Sequence, residues 1–97
     1  MPRPARPTPA ELVDDWPHTP SSDPAVEAAR LVAVNLQRAL GDRSLRAAKA
    51  LSGVDHTTIS AVLHGKVWPD LMTLARLEAG LRVDLWPSGI PSTMGDR

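Results

Sequence analysis

The chain has 97 residues and a formal net charge of zero, a length that allows one compact domain and excludes two domains with separate cores. It contains no Cys, Phe or Tyr, which excludes disulfides and thiolate chemistry and leaves Leu, Val, Ala and the three Trp to form a core. No segment approaches the roughly 18 apolar residues that span a bilayer, and the first ten residues lack the apolar part of a secretory signal. We therefore expect no membrane contact and a cytoplasmic location.

Charge is distributed unevenly along the chain. Residues 1–29 hold two Arg against five acidic residues, residues 30–69 hold six basic against two acidic, and residues 70–97 hold three against four. Because phosphate neutralisation supplies much of the affinity of proteins for nucleic acids, the positive central segment is the candidate for such a contact.

The first segment is rich in proline: seven of the ten prolines lie within the first 24 residues. Each proline fixes φ and removes a backbone donor, so residues 1–22 are predicted to form an extended tail. We favour a solvated tail. The alternative, in which Arg3 and Arg6 follow a nucleic-acid groove, is opposed by the acidic residues at positions 11, 14 and 15.

The first predicted helix runs from Pro24 to about Leu40, with Asp23 as its N-cap and Gly41 at its end. Apolar residues recur within it at intervals of three and four, which places them on one face for burial. They are Val26, Ala29, Ala33, Leu36 and Leu40.

Two short helices follow, joined by a tight turn that contains Gly53. The first is predicted from Leu45 to about Leu51 behind a Ser44 cap, with Leu45, Ala48 and Leu51 facing inward. The second is predicted from His56 to about Leu63, with Asp55 as its cap and Gly65 in the left-handed conformation after it.

A fourth helix is predicted after Trp68 and Pro69, with Asp70 as its cap. Its apolar stripe consists of Leu71, Leu74, Leu77 and Leu81. Residues 83–86 are compatible with a helical turn or a short strand, and residues 87–97 are predicted to form a flexible tail, so the folded domain spans residues 23–86. The three Trp are expected to pack rather than to stack on bases.

The third helix has one apolar side and one polar side. Its inward side is predicted to contain Val54, Ile59, Val62 and Leu63, and its outward side His56, Thr57, Ser60, Ala61 and His64. Two short helices joined by a glycine turn form a unit whose second helix can enter the major groove of DNA. Short hydroxyl and imidazole side chains on the outward side suit contacts with base edges and phosphates.

The segment SLRAAKALSGVDHTTISAVLHGKVWPDLMTLARL resembles the helix-turn-helix of the Xre/Cro, lambda-repressor-like family, and the resemblance covers about residues 25–85. It implies an all-α bundle of four to five helices that binds operator DNA as a homodimer. It further implies base contacts from His56, Thr57 and Ala61. Phosphate contacts are implied for Ser44, the Leu45 amide, Ser60 and Lys66, with Arg43, Arg46 and His64 as additional candidates.

Four residues depart from the family pattern. Lys49 replaces a small residue, so its stem must bend out to solvent or the spacing of the two short helices must change. Leu63 replaces a frequent Glu, either as a core residue or as a partner contact. Glu78 and Arg82 stand where Ala and Gly are usual, which leaves the end of the fourth helix and any fifth helix open.

Other functions are less well supported by the residues. The three His have no Cys beside them and no recognised ligand spacing, so neither a metal nor another cofactor is expected. No nucleophile with a base and an orienting group is evident, and an enzyme is not expected. The sequence thus predicts a transcriptional regulator that binds duplex DNA and represses a promoter. The alternative is a protein-interaction module with the same fold, such as an antitoxin or an adaptor.

Overall fold

A computed structural model describes residues 6–88 of the chain, and Arg3 and most of the predicted C-terminal tail lie outside this range. A short 3₁₀ helix, Pro9–Leu12, is followed by four α-helices: α1 Pro24–Leu40, α2 Leu45–Ser52, α3 His56–Leu63 and α4 Leu71–Leu81. Residues 6–88 contain no strand. The all-α fold with a helix-turn-helix is therefore confirmed.

Each α-helix begins where a short polar side chain accepts a hydrogen bond from the free amides of the first turn. The Asp23 carboxylate accepts from Ala25 N at 2.8 Å, and the Asp55 carboxylate accepts from Thr57 N at 3.0 Å. The Asp70 carboxylate accepts from Thr73 N at 2.7 Å, and the Ser44 hydroxyl accepts from Ala47 N at 3.0 Å. Gly53 (φ +77°) and Gly65 (φ +66°) follow α2 and α3 in the left-handed region, where a residue without Cβ is favoured. The predicted helix boundaries follow from these signals.

The core lies between the four α-helices. The five α1 residues predicted to face inward are all buried, and α4 buries Leu74, Leu77 and Leu81. One buried cluster joins all four helices, the turn between α2 and α3 and the loop after α4. It comprises Val32, Leu36, Leu40, Ala48, Val54, Ile59, Val62, Leu74, Leu77, Leu81 and Leu85. Burial of these aliphatic side chains is the main favourable contribution to folding.

Two residues predicted to be inward are exposed instead, Leu51 by 52% and Leu71 by 83%. The inward face of α2 passes through Leu45, Ala48 and Ser52, at intervals of three and four residues, and Leu51 falls beside that face. The Ser52 hydroxyl is satisfied there because it donates to Ala48 O at 2.7 Å and accepts from Val54 N at 3.1 Å. Leu71 is the first residue of α4 and precedes the part of the helix that is buried.

Gly80 allows α4 to approach α2 closely. A Cβ atom at this position would lie 2.5 Å from both Leu51 O and Ser52 Cα, far inside van der Waals contact. The opposing atoms belong to the backbone of α2, so no side-chain rotation relieves the overlap. The crossing of these two helices therefore requires glycine at residue 80.

The segment after α4 forms neither a helix nor a strand over residues 82–88. The Glu78 carboxylate accepts from the backbone amides of Leu85 and Trp86 at 2.7 and 2.9 Å, and Asn35 Nδ2 donates to Leu85 O at 3.0 Å. These bonds satisfy the backbone around Leu85, whose side chain is fully buried. The Glu at position 78 thus holds this loop against the core.

The N-terminal segment differs from the predicted extended tail, because it folds against α1 and α3. The Trp16 indole donates to Leu63 O at 2.9 Å, Ala10 N donates to Gly65 O at 2.9 Å, and Pro9 and Val13 are buried. Proline excludes a regular α-helix here but occupies the first position of the 3₁₀ helix without losing a bond. The prediction of an extended tail was therefore wrong, because residues 9–12 form a 3₁₀ helix and the segment packs on α1 and α3.

An ion pair on α1 holds the following part of this segment. Glu27 and Arg30 are joined at 2.6 Å with little solvent exposure, Arg30 Nη1 donates to Pro17 O at 3.0 Å, and Ser21 N donates to Glu27 Oε1 at 2.8 Å. The hydrogen bond from Arg30 lowers the pKa of Glu27, and its reciprocal raises the pKa of Arg30. The pair thereby links residues 17–21 to the helix.

No α-helix in the described part of the chain is long and apolar enough to cross a membrane.

Candidate nucleic-acid interface

The two short helices α2 and α3 form the unit predicted to contact DNA. They pack together with Ala48 fully buried, and Gly53 allows the chain to turn sharply between them. Ile59 and Val62 are buried on the inward side of α3, and Leu63 packs against the core. Leu63 is therefore half-buried against the core, in keeping with the first of the two roles left open for it.

The opposite side of α3 is accessible to solvent. Thr57 and His64 are exposed, and His56, Ser60 and Ala61 are half-buried. Thr57, Ala61 and His64 are spaced at four and three residues and so form one row along the helix. The polar side of α3 thus faces away from the core, although its contacts with DNA stay a prediction.

Asp55 organises the first turn of α3. Its Oδ2 atom accepts from both the backbone amide and the hydroxyl of Thr57, and its Oδ1 atom lies 3.3 Å from Lys49 Nζ and 3.8 Å from His56 Nδ1. These donors, above all the Thr57 hydroxyl, lower the pKa of Asp55 to about 2. The carboxylate is therefore ionised at neutral pH.

Lys49 explains how α2 tolerates a long side chain beside α3. Its side chain is 51% exposed and ends at Asp55, so the stem bends out to solvent. The spacing of the two helices is set by Ala48 and does not accommodate the lysine. Of the two alternatives predicted for Lys49, the structure shows the first.

The end of α3 places two more candidate residues at the surface. His64 Nδ1 lies 2.8 Å from Ser60 O and 3.4 Å from Ser60 Oγ. Because the carbonyl can only accept, Nδ1 is assigned as the donor and Nε2 is left for another partner. Lys66 follows with an exposed side chain, and its amide donates to Ala61 O at 2.9 Å, which closes the end of the helix.

The N-terminus of α2 contains the remaining candidates. Ser44 and Arg46 are exposed at its first turn, Arg43 is exposed immediately before it, and the turn has no acidic residue. The Leu45 side chain packs partly against the core, while its amide belongs to the first turn, where backbone amides have no helical acceptor. This terminus therefore combines free backbone donors with positive side chains, as anion contacts require.

Two side-chain contacts were not predicted from the sequence. Asp55 was predicted only as a cap, and a cap predicts hydrogen bonds from first-turn backbone amides but not the bond from the Thr57 hydroxyl. Arg6 lies over the Trp68 ring, 5.5 Å from its centroid, and the Trp68 indole donates to Pro7 O at 2.9 Å. The Trp68–Pro7 hydrogen bond joins residues 61 positions apart, and no local pattern indicates it.

Residues 6–88 contain no group of three or more His, Cys, Asp or Glu arranged to hold a metal ion. A family model described as helix-turn-helix matches residues 34–85, which is more than half of the chain. Neither a curated protein nor a solved structure matches the chain. The matched range includes α2, α3 and α4 in full.

Proposed function

The chain belongs to the Xre/lambda-repressor-like helix-turn-helix family of DNA-binding regulators, and on that premise we propose that it is a repressor that inserts α3 into the major groove of its operator. The observation that carries this proposal is the accessible polar side of α3. A helix of this size fits a groove about 12 Å wide, and its outward side chains then meet base edges. Enzymatic activity is not typical of the family.

The proposed base contacts come from one side of α3. Thr57 and Ala61 lie in the outward row, and His56 stands at the edge of the first turn with its side chain 39% exposed. The methyl group of Ala61 suits contact with a thymine methyl, whereas the hydroxyl group of Thr57 and the imidazole group of His56 suit hydrogen bonds. His64, one turn beyond Ser60, extends the same row toward the phosphates.

The proposed phosphate contacts surround α3 on both sides. Ser44 and the Leu45 amide at the start of α2, and Ser60 and Lys66 in and after α3, would fix the helix in the groove, assisted by Arg43 and Arg46. A neutral net charge is compatible with this function because the excess of basic residues is concentrated in residues 30–69.

We expect two copies to bind a pseudo-palindromic operator in the cytoplasm, with half-sites about one helical turn apart, because a two-fold dimer matches a two-fold site. Occupancy of a promoter by such a dimer excludes other proteins from it, which is the proposed basis of repression.

One observation favours the alternative of a protein-interaction module. Trp86 is 57% exposed, and together with Leu71 it borders an apolar groove of about 320 Å³ between α1 and the start of α4. An exposed Trp beside an apolar groove is typical of a surface that contacts another protein. An antitoxin or adaptor would use such a surface without needing DNA.

Selection of bound duplexes from a random pool, followed by sizing of the complex, tests both functions. The repressor proposal expects an enriched pseudo-palindrome, two chains per duplex and affinity that falls steeply with salt. Failure to enrich any duplex, with a stable complex formed only with a partner protein, would favour the interaction module.

A further inference from the structure

The Thr57 hydroxyl has a fixed direction. Its proton is donated to Asp55 Oδ2, which also accepts the Thr57 amide. An ionised carboxylate can only accept hydrogen bonds, and the Asp55 carboxylate is held in the ionised form by its donors, including Lys49 at 3.3 Å. The hydroxyl proton is therefore engaged by the N-cap carboxylate and is not available to another partner.

The position of Thr57 makes this direction relevant to base recognition. Thr57 is exposed and lies in the outward row of α3, opposite the buried Ile59 and Val62. With its proton engaged, its oxygen presents only lone pairs to a partner on that side, next to the γ-methyl group. Toward the groove, Thr57 thus acts as a hydrogen-bond acceptor.

Bases differ in what they offer such an acceptor. In the major groove, cytosine N4 and adenine N6 are donors, whereas guanine offers two acceptors, N7 and O6, and thymine offers the acceptor O4. An acceptor paired with cytosine or adenine forms a hydrogen bond. An acceptor placed against guanine brings lone pairs together and leaves both groups unsatisfied.

We propose that Asp55 sets the polarity of the Thr57 hydroxyl, so that Thr57 selects cytosine or adenine on the contacted strand and rejects guanine. This inference rests on the proposed insertion of α3 into the major groove. It makes Asp55 a positioning residue that acts through Thr57, and it makes Thr57 a specificity-determining residue of defined polarity.

Two substitutions of Asp55 separate this role from its charge. Asp55→Asn and Asp55→Gly both remove the negative charge beside Lys49, and both residues are accepted at N-caps. In Asp55→Asn the carboxamide oxygen can replace Oδ2 and accept from the amide and hydroxyl of Thr57. Asp55→Gly has no side-chain acceptor, which frees the hydroxyl to turn and to donate.

In the experiment, bound duplexes are selected with the wild type, Asp55→Asn, Asp55→Gly and Thr57→Val. The affinity of each protein is then measured for the selected site and for the same site with guanine at the contacted position. The contacted position is the one whose preference disappears in Thr57→Val. The wild type and Asp55→Asn should lose about tenfold in affinity on guanine, in keeping with the usual cost of a wrong base contact. Asp55→Gly should lose less than about threefold.

Two results would overturn the inference while leaving DNA binding in place: a preference for guanine or thymine at the contacted position by the wild type, or full discrimination retained in Asp55→Gly. Failure of the wild type to enrich any duplex would instead overturn the proposed function, and the inference with it. Circular dichroism at the binding temperature checks that each variant is folded, and Thr57→Val tests the hydroxyl with the cap intact.

Discussion

Arg82 ends α4 in the left-handed conformation, with φ +58° and ψ +48°, where a residue with a Cβ is strained by about 1–2 kcal/mol. Glycine relieves this strain but loses more conformational freedom on folding. We therefore expect Arg82→Gly to raise the free energy of unfolding by about 1 kcal/mol, measured by urea denaturation. Arg82→Ala retains the Cβ and serves as the control. Equal stability of the two variants would show that the strain does not limit this helix end.

Glu78, in the second half of α4, shows why the conformation of the loop after this helix was not predicted. From the sequence, Glu78 was noted only as a departure from the family pattern. Its role was not predicted because its partners are backbone amides seven and eight residues away in an irregular loop. Periodicity and capping rules describe regular elements. A carboxylate that organises irregular backbone has no comparable signal.

At the scale of the helices, Gly80 is the residue on which the packing of α4 against α2 depends. In an exposed helix, Gly→Ala stabilises by about 1 kcal/mol. Here the added methyl group overlaps the backbone of Leu51 and Ser52, so Gly80→Ala is expected to reverse that sign and to lower the free energy of unfolding by about 1–3 kcal/mol. Urea denaturation measures the change.

The control for this prediction is Ala79→Gly, an exposed position in the same helix. It should cost about 1 kcal/mol through helix propensity alone. A stabilised Gly80→Ala variant would mean that the two helices separate without penalty, contrary to the close contact described above.

The α-helices themselves were predictable because their signals are local. Capping side chains and glycines mark where each helix starts and stops, and three- and four-residue spacing identifies the inward side of α1 and α3. Leu51 was misplaced because the buried face of α2 continues from Ala48 to Ser52, four residues on, and not to Leu51. Leu71 was misplaced because spacing does not show where along α4 burial begins. The outward side of α3 was predicted from the same spacing, whereas the hydrogen bond that orients Thr57 required the structure.

At the scale of the whole molecule, the N-terminal segment and α3 form one folded unit. The Trp16 indole donates to Leu63 O, a carbonyl in the last turn of α3 that has no helical donor. Trp16→Phe keeps an aromatic ring and removes the donor, so we expect a loss of about 1–3 kcal/mol in the free energy of unfolding. Circular dichroism in urea provides the measurement. Trp86→Phe, at an exposed ring, should stay within about 0.5 kcal/mol of the wild type.

The electrostatic footprint is also a property of the whole molecule, because a neutral chain binds DNA only if its positive groups act together at one surface. Lys66 is exposed directly after α3, and Lys66→Ala should weaken binding to all duplexes by a similar factor. The slope of the logarithm of the DNA-binding constant against the logarithm of the salt concentration should become shallower by about one unit, since one phosphate contact is lost. Arg82→Gly, at the far end of α4, should leave the slope unchanged. If Lys66→Ala kept the full slope, the counterions released on binding would have to come from other residues, and Lys66 would not belong to the phosphate contacts.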